Sequence, residues 1–194
     1  LLDHWGEISD TALIADLLRW EEDERHRRSL ERRIRNARIG SFKPLADFDW
    51  DWPEHIDRDQ ILDLLNMLWP EEAMNVILVG PNGVGKSMLA KNLGYQALLN
   101  GHTVRFTTAS EMLNDLAAQQ GAYALNRRIR HYCRASILCI DELGYLSYDN
   151  RYADLLFEVV SRRYGLKSTL VTTNKTSSAL NEVLPNPPLL LRPL

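Results

Sequence analysis

The second half of the chain alternates short apolar runs with stretches of helical periodicity. Four short runs rich in β-branched and other apolar residues occupy 76–79, 104–107, 137–140 and 170–173. Between them, apolar positions recur at three- and four-residue intervals, and the predicted helices span 86–99, 110–120, 124–134 and 151–164. Strands that alternate with helices in this way form parallel sheets that are buried on both faces. The pattern predicts an α/β protein.

The first forty residues also show helical periodicity, and no proline interrupts them. Leu13, Leu17 and Leu30 belong to an apolar series with three- and four-residue spacing, so a helix is predicted from residue 2 to about residue 39.

A shorter helix is predicted to begin at Asp57, because Gln60 follows three residues later as in a capping box. Pro70 is expected to end this helix. Its predicted apolar face consists of Ile61, Leu64, Leu65 and Leu68. The last ten residues contain four prolines and are expected to form an irregular tail rather than a helix.

Charge is distributed unevenly, although the net charge of the 194-residue chain is only −3. Residues 25–43 contain eight basic side chains and one acid, whereas residues 44–79 contain nine acids and one base. This reversal coincides with a helix stop, so a boundary is predicted after residue 43. The predicted organisation is a basic helical segment (1–43), a strap and helix (44–75), an α/β core (76–186) and a tail (187–194).

The overall composition is that of a soluble globular protein. The chain is 45% hydrophobic and 25% charged, which excludes wholesale disorder. No apolar run approaches the roughly 20 residues of a membrane span, so no membrane association is expected. Its two cysteines exclude a disulfide scaffold and fit a reducing cytoplasm.

The strongest chemical signal is the sequence Gly-Pro-Asn-Gly-Val-Gly-Lys-Ser at residues 80–87. It matches the phosphate-loop pattern G-x-x-x-x-G-K-[ST], directly after a predicted strand and before a predicted helix. Its glycines let backbone N–H groups point into one concavity beside the positive end of a helix dipole. Lys86 is predicted to reach the β- and γ-phosphates of ATP, and Ser87 to bind Mg²⁺. The predicted ATP-binding residues are Gly80, Pro81, Asn82, Gly83, Val84, Gly85, Lys86, Ser87 and Met88.

Polar residues at the ends of two later strands complement the loop. Asp141 is predicted to hold Mg²⁺, directly or through water, and Glu142 to polarise the water that attacks the γ-phosphate. Asn174 follows the fourth strand, where an amide can contact the γ-phosphate or this water. A turn-forming asparagine is the open alternative for Asn174. The predicted catalytic residues are Glu142, Lys86 and Asn174.

Several motifs together resemble one family, the transposition-helper ATPases of the IstB type, which are AAA+ proteins related to the DnaC helicase loader. The motifs are the phosphate loop, Asp-Glu-Leu-Gly-Tyr at 141–145, Ser-Arg-Arg-Tyr at 161–164 and Thr-Thr-Asn at 172–174. The resemblance implies a P-loop NTPase fold of the AAA+ type. It also implies a homo-oligomer that binds ATP and double-stranded DNA, hydrolyses ATP and delivers target DNA to a partner transposase.

The same resemblance implies roles for individual residues. Lys86 and Ser87 match the Walker A positions of the family, Asp141 and Glu142 match Walker B, and Asn174 matches sensor 1.

The chain departs from the family pattern beyond Asn174. The family continues with a Pro-Phe pair, a Trp and later an Asp-Arg-Leu run whose arginine reaches a neighbouring subunit. These are missing here, so the chain looks truncated or frame-shifted near 176–187. Arg192 comes too early, is flanked by proline and is not expected to serve as this arginine. Only ATPase activity of this chain would require such an arginine among Arg162, Arg163 and Arg192. The expected consequences are a missing fifth strand, an open edge at the first strand, poor solubility and negligible ATPase activity.

The basic segment is the predicted DNA contact, because arginines on several helix faces can neutralise phosphates with little sequence preference. The candidate DNA-binding residues are Arg28, Arg32, Arg33, Arg35 and Arg38. A solvated helix, or one packed against the acidic stretch at 47–63, is the alternative. A second basic cluster lies at 127–134, on a helix whose core side should hold Ile129 and Tyr132. The histidines and cysteines lack metal-ligand spacing, so zinc is not expected.

Three functions stay open on the sequence. They are a transposition helper, a replicative-helicase loader of the DnaC type with the same chemistry, and a remnant that does not hydrolyse ATP. A small-molecule kinase is disfavoured, because Glu142 directly after Asp141 suits activation of water rather than transfer to an acceptor. Neighbouring genes would separate the first two functions, and an Asp-Arg-Leu run in the downstream DNA would test the third.

Overall fold

Five parallel strands form one sheet in the computed structural model, which describes residues 12–52, 56–144, 150–175 and 189–191. The strands are β1 (Val76–Val79), β2 (Val104–Thr108), β3 (Ile137–Leu143), β4 (Ser168–Thr173) and β5 (Leu189–Leu191). Their order across the sheet is β2-β3-β4-β1-β5, and each neighbouring pair is parallel. The predicted α/β class is confirmed, and β3 extends past its predicted end to include Asp141 and Glu142.

Helices connect the strands and precede them. They are α1 (Ala12–Ala37), α2 (Arg58–Leu64), α3 (Leu68–Glu71), α4 (Lys86–Leu99), α5 (Ala109–Ala117), α6 (Ala122–Cys133) and α7 (Asn150–Arg163). A capping box opens α5, where Thr108 accepts the backbone N–H of Glu111 and the Glu111 carboxylate accepts that of Thr108. None of the helices in the described ranges is long and apolar enough to cross a membrane.

The strand side chains alternate between two cores, one on each face of the sheet. Val76 and Leu78 of β1 belong to a core that also contains Leu93 of α4. Ile77 and Val79 belong to the opposite core, which is formed with α5, α6 and α7. Because both faces are covered, each strand needs apolar side chains at successive positions, which explains the continuous apolar runs in the sequence.

The predicted core side of α6 is confirmed by burial. Ile129 and Tyr132 are each only 3% exposed, and both belong to the core formed with α5 and α7.

The C-terminal segment contains a strand that the sequence analysis did not predict. β5 pairs in parallel with β1, with Leu189 opposite Val76 and Leu191 opposite Leu78. The expectations of a missing fifth strand and an open edge at β1 are therefore wrong. Prolines that flank a three-residue apolar run exclude a helix, but they are compatible with a short edge strand. The remaining positions of the predicted tail, 187, 188 and 192–194, lie outside the described residues.

The segment after Asp57 is two short helices rather than one. The Asp57 carboxylate accepts the backbone N–H of Gln60, so the predicted cap is confirmed. The helix then ends before Met67, whose left-handed backbone (φ 57°) turns the chain. Because of this turn, Trp69 enters the core and its indole N–H donates to a backbone carbonyl, whereas Leu68 is 61% exposed. The predictions that Leu68 lies in the core and that Pro70 ends the helix are wrong.

Only the C-terminal part of α1 packs against the rest of the described chain. Ala37 and Ile39, at the end of the helix, are buried beside α4 and β2. Leu17 and Leu18 are exposed, although they belong to the predicted apolar series, and Trp20 is exposed as well. The basic segment is therefore attached to the α/β core at its C-terminal end.

A buried arginine ties together the beginnings of β3 and β4. Arg163, at the end of α7, is 1% exposed, and its guanidinium donates to the Thr169 hydroxyl. It also donates to four backbone carbonyls at the end of α6, in the connection to β3 and at the start of β4, those of Tyr132, Ala135, Ser136 and Ser168. Burial lowers the pKa of Arg163 to about 10, which still leaves it protonated at neutral pH. Because it is enclosed in this way, Arg163 cannot reach a neighbouring subunit.

We expect Arg163→Met to lower the free energy of unfolding by at least about 3 kcal/mol, because it leaves several buried carbonyls without donors. The matched control is Arg162→Met, which removes an exposed side chain paired with Glu158 and should cost less than about 1 kcal/mol. Urea unfolding of both variants measures the difference. Equal stability of the two variants would show that the buried contacts of Arg163 contribute nothing net.

Candidate nucleotide-binding site

The phosphate loop joins β1 to α4 at the carboxyl edge of the sheet. The Gly80 N–H donates to the carbonyl of Thr173 at the end of β4, which fixes the start of the loop. Gly83 and Gly85 have positive φ values of 84° and 92°. A Cβ at Gly85 would lie 2.6 Å from Cε2 of Phe48, so only glycine fits at this position. The loop therefore has the curved backbone and the helix N-terminus that phosphate binding requires.

Lys86 is the first residue of α4 and lies at the mouth of the loop. Its ammonium group donates to the carbonyl of Pro81 at 2.5 Å. Burial lowers the pKa of Lys86, whereas the nearby carboxylates of Asp141 and Glu142 raise it. The ammonium thus lies partly out of water beside two acids, an arrangement that a phosphate would stabilise.

Asp141 lies 6% exposed behind the loop and accepts two hydrogen bonds. The hydroxyl of Ser87 donates to Oδ1 of Asp141 at 2.9 Å. The hydroxyl of Thr172 donates to the same oxygen at 2.5 Å. Asp141 and Ser87, predicted as the Mg²⁺ ligands, are therefore adjacent. A carboxylate and one hydroxyl suit Mg²⁺, which commonly takes few protein ligands and fills its shell with water and phosphate oxygens.

Glu142 has an unusual backbone for a residue inside a strand. Its φ is 60°, and the pairing of β3 with β4 shifts register between Ile140 and Leu143. Its backbone N–H donates to the Thr172 hydroxyl at 2.9 Å, which helps to hold this conformation. A left-handed non-glycine residue costs of order 1–3 kcal/mol and is typical of functional sites. The irregularity breaks the alternation of β3, and the exposed Glu142 lines the cavity described next.

These residues surround a cavity of about 360 Å³ above the carboxyl ends of β1, β3 and β4. The predicted site residues that line it are Asn82, Gly83, Gly85, Lys86, Ser87, Met88, Glu142 and Asn174. Asn174 follows the end of β4 and lines the cavity, and its contact with phosphate or water stays a prediction. Among the predicted residues that do not line it, Asp141 lies behind Ser87, and Val84 is buried in the core.

Thr172 is a site residue that was not predicted separately from the sequence. Its hydroxyl donates to Asp141 and accepts from the backbone of Glu142, so one side chain holds both acids. The sequence feature that could have identified Thr172 is its position two residues before Asn174, near the carboxyl end of the same strand. That signal was weak, because threonine is also a common strand residue.

The five arginines predicted to bind DNA differ in their surroundings, since one is in an ion pair and four line a cavity. Arg28 forms an ion pair with Glu24 on the same helix. The other four line a larger cavity of about 820 Å³ near the C-terminal end of α1, which shares no lining residue with the nucleotide cavity; they are Arg32, Arg33, Arg35 and Arg38. From the second basic cluster, Arg134 lines this same cavity, whereas Arg128 forms an ion pair with Asp115.

Comparisons with known proteins find relatives that are described as ATP-binding proteins. A family profile described as "IstB-like ATP binding protein" matches residues 4–190. The chain is 34% identical over 169 residues to the ATP-binding protein described for insertion sequence IS21 of Pseudomonas aeruginosa, covering 87% of this chain and 64% of that relative. It is 30% identical over 184 residues to the corresponding IS232 protein of Bacillus thuringiensis subsp. berliner, covering 95% and 74%.

Solved structures share the fold at lower sequence identity. The DnaC helicase loader superposes with a TM-score of 0.57 at 20% identity, covering 81% of this chain and 97% of the loader. The replication initiator DnaA, bound to AMPPCP and single-stranded DNA, has a TM-score of 0.58 at 17% identity, covering 69% and 44%. The fold is therefore that of an AAA+ P-loop NTPase. Since the family profile spans nearly the whole chain, this protein belongs to the IstB-like ATP-binding protein family.

Proposed function

We propose that this protein binds ATP with Mg²⁺, hydrolyses the ATP, and acts as a helper that delivers double-stranded DNA to a transposase. The observation that carries the proposal is the meeting of Lys86, Ser87 and Asp141 at one helix N-terminus. Relatives described as ATP-binding proteins of insertion sequences support the transposition context. The proposed work takes place in the cytoplasm.

Binding of the triphosphate uses the loop backbone and Lys86. The N–H groups at the start of α4 point at the phosphates, with the positive end of the helix dipole behind them. The Lys86 ammonium, now bonded to the Pro81 carbonyl, would turn to the β- and γ-phosphate oxygens. Asn174 is within the same cavity and would donate its amide to the γ-phosphate or to the attacking water.

Ser87 and Asp141 would hold the magnesium ion, which neutralises charge on the phosphates when it is bound. The contribution of this chain is to orient the two ligands. The Ser87 hydroxyl and the Thr172 hydroxyl both bind the Asp141 carboxylate, so its rotamer is fixed before any ligand arrives. Such preorientation of ligands by neighbouring hydrogen bonds strengthens metal binding.

Hydrolysis would use Glu142 as the general base. Its carboxylate accepts a proton from a water molecule, whose oxygen bonds to the γ-phosphorus as the bond from that phosphorus to the bridging oxygen breaks. The products are ADP and inorganic phosphate. The exposed Glu142 side chain lines the cavity, which supports this role.

An arginine to stabilise the transition state would come from a second copy of the chain. Within the described residues, no arginine lines the nucleotide cavity. Arg163 is buried, and Arg162 is paired with Glu158, so neither is available to the site of its own chain. A homo-oligomer in which neighbouring subunits complete each site is therefore part of the proposal, since such arginines contribute about 10³–10⁵ in rate.

Helicase loading of the DnaC type is the second candidate function. The fold likeness to the DnaC helicase loader favours it, and the nucleotide chemistry would be the same. The insertion-sequence relatives favour the transposase as partner. Pull-down of a co-expressed transposase or replicative helicase distinguishes the two.

Lys86→Ala should weaken binding of a fluorescent ATP analogue at least about thirtyfold, because it removes the charged donor to the phosphates. The matched control is Lys91→Ala on the same helix, whose ammonium donates to the Ser41 carbonyl away from the cavity. Equal affinities of Lys86→Ala and the wild type would contradict the nucleotide assignment.

Glu142→Gln should retain ATP binding and release phosphate on the order of a hundredfold more slowly, because an amide cannot accept the proton of water. Glu158→Gln, on the exposed side of α7, is the control and should keep the wild-type rate. An unchanged rate in Glu142→Gln would remove Glu142 from the mechanism. If the wild type binds ATP but releases no phosphate even with DNA, the protein is the remnant that does not hydrolyse ATP.

Thr172→Val should raise the Mg²⁺ concentration needed for half-maximal nucleotide binding and lower the rate of hydrolysis, each by about tenfold. Valine keeps the volume of the side chain but removes the hydroxyl that binds both acids. Thr172→Ser keeps the hydroxyl and should restore both properties. Failure of serine to restore them would show that the methyl group, rather than the hydrogen bonds, matters.

A further inference from the structure

Six arginines line a cleft between three elements, which we call the basic cleft. The end of α1, the start of β2 and the end of α6 form it, with a volume of about 820 Å³. Its basic side chains are Arg32, Arg33, Arg35, Arg38, Arg105 and Arg134. Within the described ranges no carboxylate lines the cleft, although Arg38 and Arg105 also border a neighbouring cavity that Glu111 and Asp115 line. The cleft shares no lining residue with the nucleotide cavity.

The arginines in the second half of α1 fall into two sets. The neutralised set forms ion pairs with acids of the same helix, whereas the free set, Arg32, Arg33 and Arg35, forms no ion pair in the described residues. Arg25 and Arg27 form ion pairs at 2.6 Å with Glu21 and Glu31. Arg27 and Arg28 donate to Glu24, and these hydrogen bonds lower the pKa of Glu24 to about 2. Beyond residue 31 the described helix contains no acid to continue this pattern. The neutralised set therefore lies on the exposed N-terminal side, and the free set faces the basic cleft.

Two guanidinium groups of the basic cleft contain a buried nitrogen without a partner in the described structure. They are Nε of Arg33 and Nε of Arg105, although Arg33 uses its other nitrogens to bind Ser29 and the Leu98 carbonyl. Burial, together with the nearby charges of Arg38 and Arg128, lowers the pKa of Arg105. Unpartnered buried donors are rare in folded proteins and call for an explanation. Because these two nitrogens are buried, an anion in the cleft would stabilise the charge of the guanidinium groups rather than bond to the nitrogens directly.

The backbone of Arg38 adds an independent observation. Its φ is 56°, the left-handed conformation in which a helix commonly ends on glycine. The next residue, Ile39, enters the core, which fixes the turn. No ion pair of Arg38 is seen in the described residues, so its charge is available to a ligand of the basic cleft.

We propose that the basic cleft binds the phosphate backbone of duplex DNA. This inference rests on the DNA-binding part of the proposed function and specifies its site. Duplex DNA carries one negative charge per roughly 1.7 Å of axis, which matches several arginines within one cleft. Sites for single strands combine positive charge with aromatic side chains that stack on bases. No phenylalanine, tyrosine or tryptophan lines the described cleft, so the backbone of a duplex fits it better.

The test compares two triple variants of the full chain that remove the same charge. The cleft variant carries Arg32→Gln, Arg35→Gln and Arg134→Gln, all at exposed side chains. The control variant carries Arg25→Gln, Arg27→Gln and Arg28→Gln in the neutralised set. Fluorescence anisotropy measures the affinity of each for labelled duplexes of unrelated sequence over a range of salt concentrations. Urea unfolding and binding of the fluorescent ATP analogue verify that both variants are folded.

The cleft variant should bind duplex DNA on the order of a hundredfold more weakly at 0.1 M salt than the wild type. Its slope of log affinity against log salt should be smaller by about 2–3, because each phosphate contact contributes about 0.9. The control variant should change affinity by less than about threefold. Arg105→Gln alone should lower the slope by about one and leave ATP-analogue binding unchanged.

The results of this test distinguish a failure of the basic-cleft inference from a failure of the proposed DNA-binding function. Equal losses in the two triple variants would mean that net charge, rather than the basic cleft, attracts DNA, and would overturn the inference while DNA binding stands. Tighter binding of the wild type to the single strand than to the duplex, lost in the cleft variant, would overturn the choice of duplex. A wild type that binds neither form of DNA would overturn both this inference and the DNA-binding part of the proposed function.

Discussion

The carboxylate of Asp141 is the point on which the nucleotide site depends. It receives hydroxyl hydrogen bonds from Ser87 at the start of α4 and from Thr172 on β4, so three segments distant in sequence meet at one buried acid. A carboxylate at this depth is tolerated because donors compensate for the water that it has lost. The same bonds align the phosphate loop with the end of β3. The positions of the site residues therefore follow from the arrangement of β3, β4 and the start of α4.

The order of the strands makes this arrangement possible. β4 lies between β1 and β3, so its side chains bridge the gap between the phosphate loop and the two acids. Thr172 and Glu142 share a hydrogen bond at the point where the pairing of β3 and β4 is irregular. An acid that followed the regular alternation would not have been held in this way. The strained backbone of Glu142 is the local cost of placing its carboxylate at the cavity.

Helix α4 connects the nucleotide site with the basic segment. Its first turn forms the phosphate loop, where Phe48 of the strap packs against Gly85. Further along the helix, Gly94 lies against Ile39, the residue that follows the left-handed turn at Arg38. A Cβ at Gly94 would lie 3.5 Å from the Ile39 side chain, so the chain at the end of α1 packs directly on α4. One helix thus contacts both the strap and the last turn of the arginine-bearing helix, and it sets their positions relative to the sheet.

The sequence by itself determined the local features of this protein. The phosphate loop, the alternation of strands and helices, the cap at Asp57 and the acids after the third apolar run all follow from spacing and residue type. These signals are local, because a turn, a cap or a helical face involves residues within a few positions of one another. Asn174 was identifiable for the same reason, since it ends a predicted strand.

Only the tertiary structure decided which of these features meet. The role of Thr172, the pairing of β5 with β1 and the turn at Met67 depend on contacts between segments far apart in the chain. Likewise, nothing in the order of the arginines shows that Arg163 is buried, or that Arg105 and Arg134 join the end of α1. The sequence gives the number and sign of the charges in each segment. Which charges are paired depends on the three-dimensional neighbours, because electrostatic interactions fall off with distance in space rather than with separation in sequence.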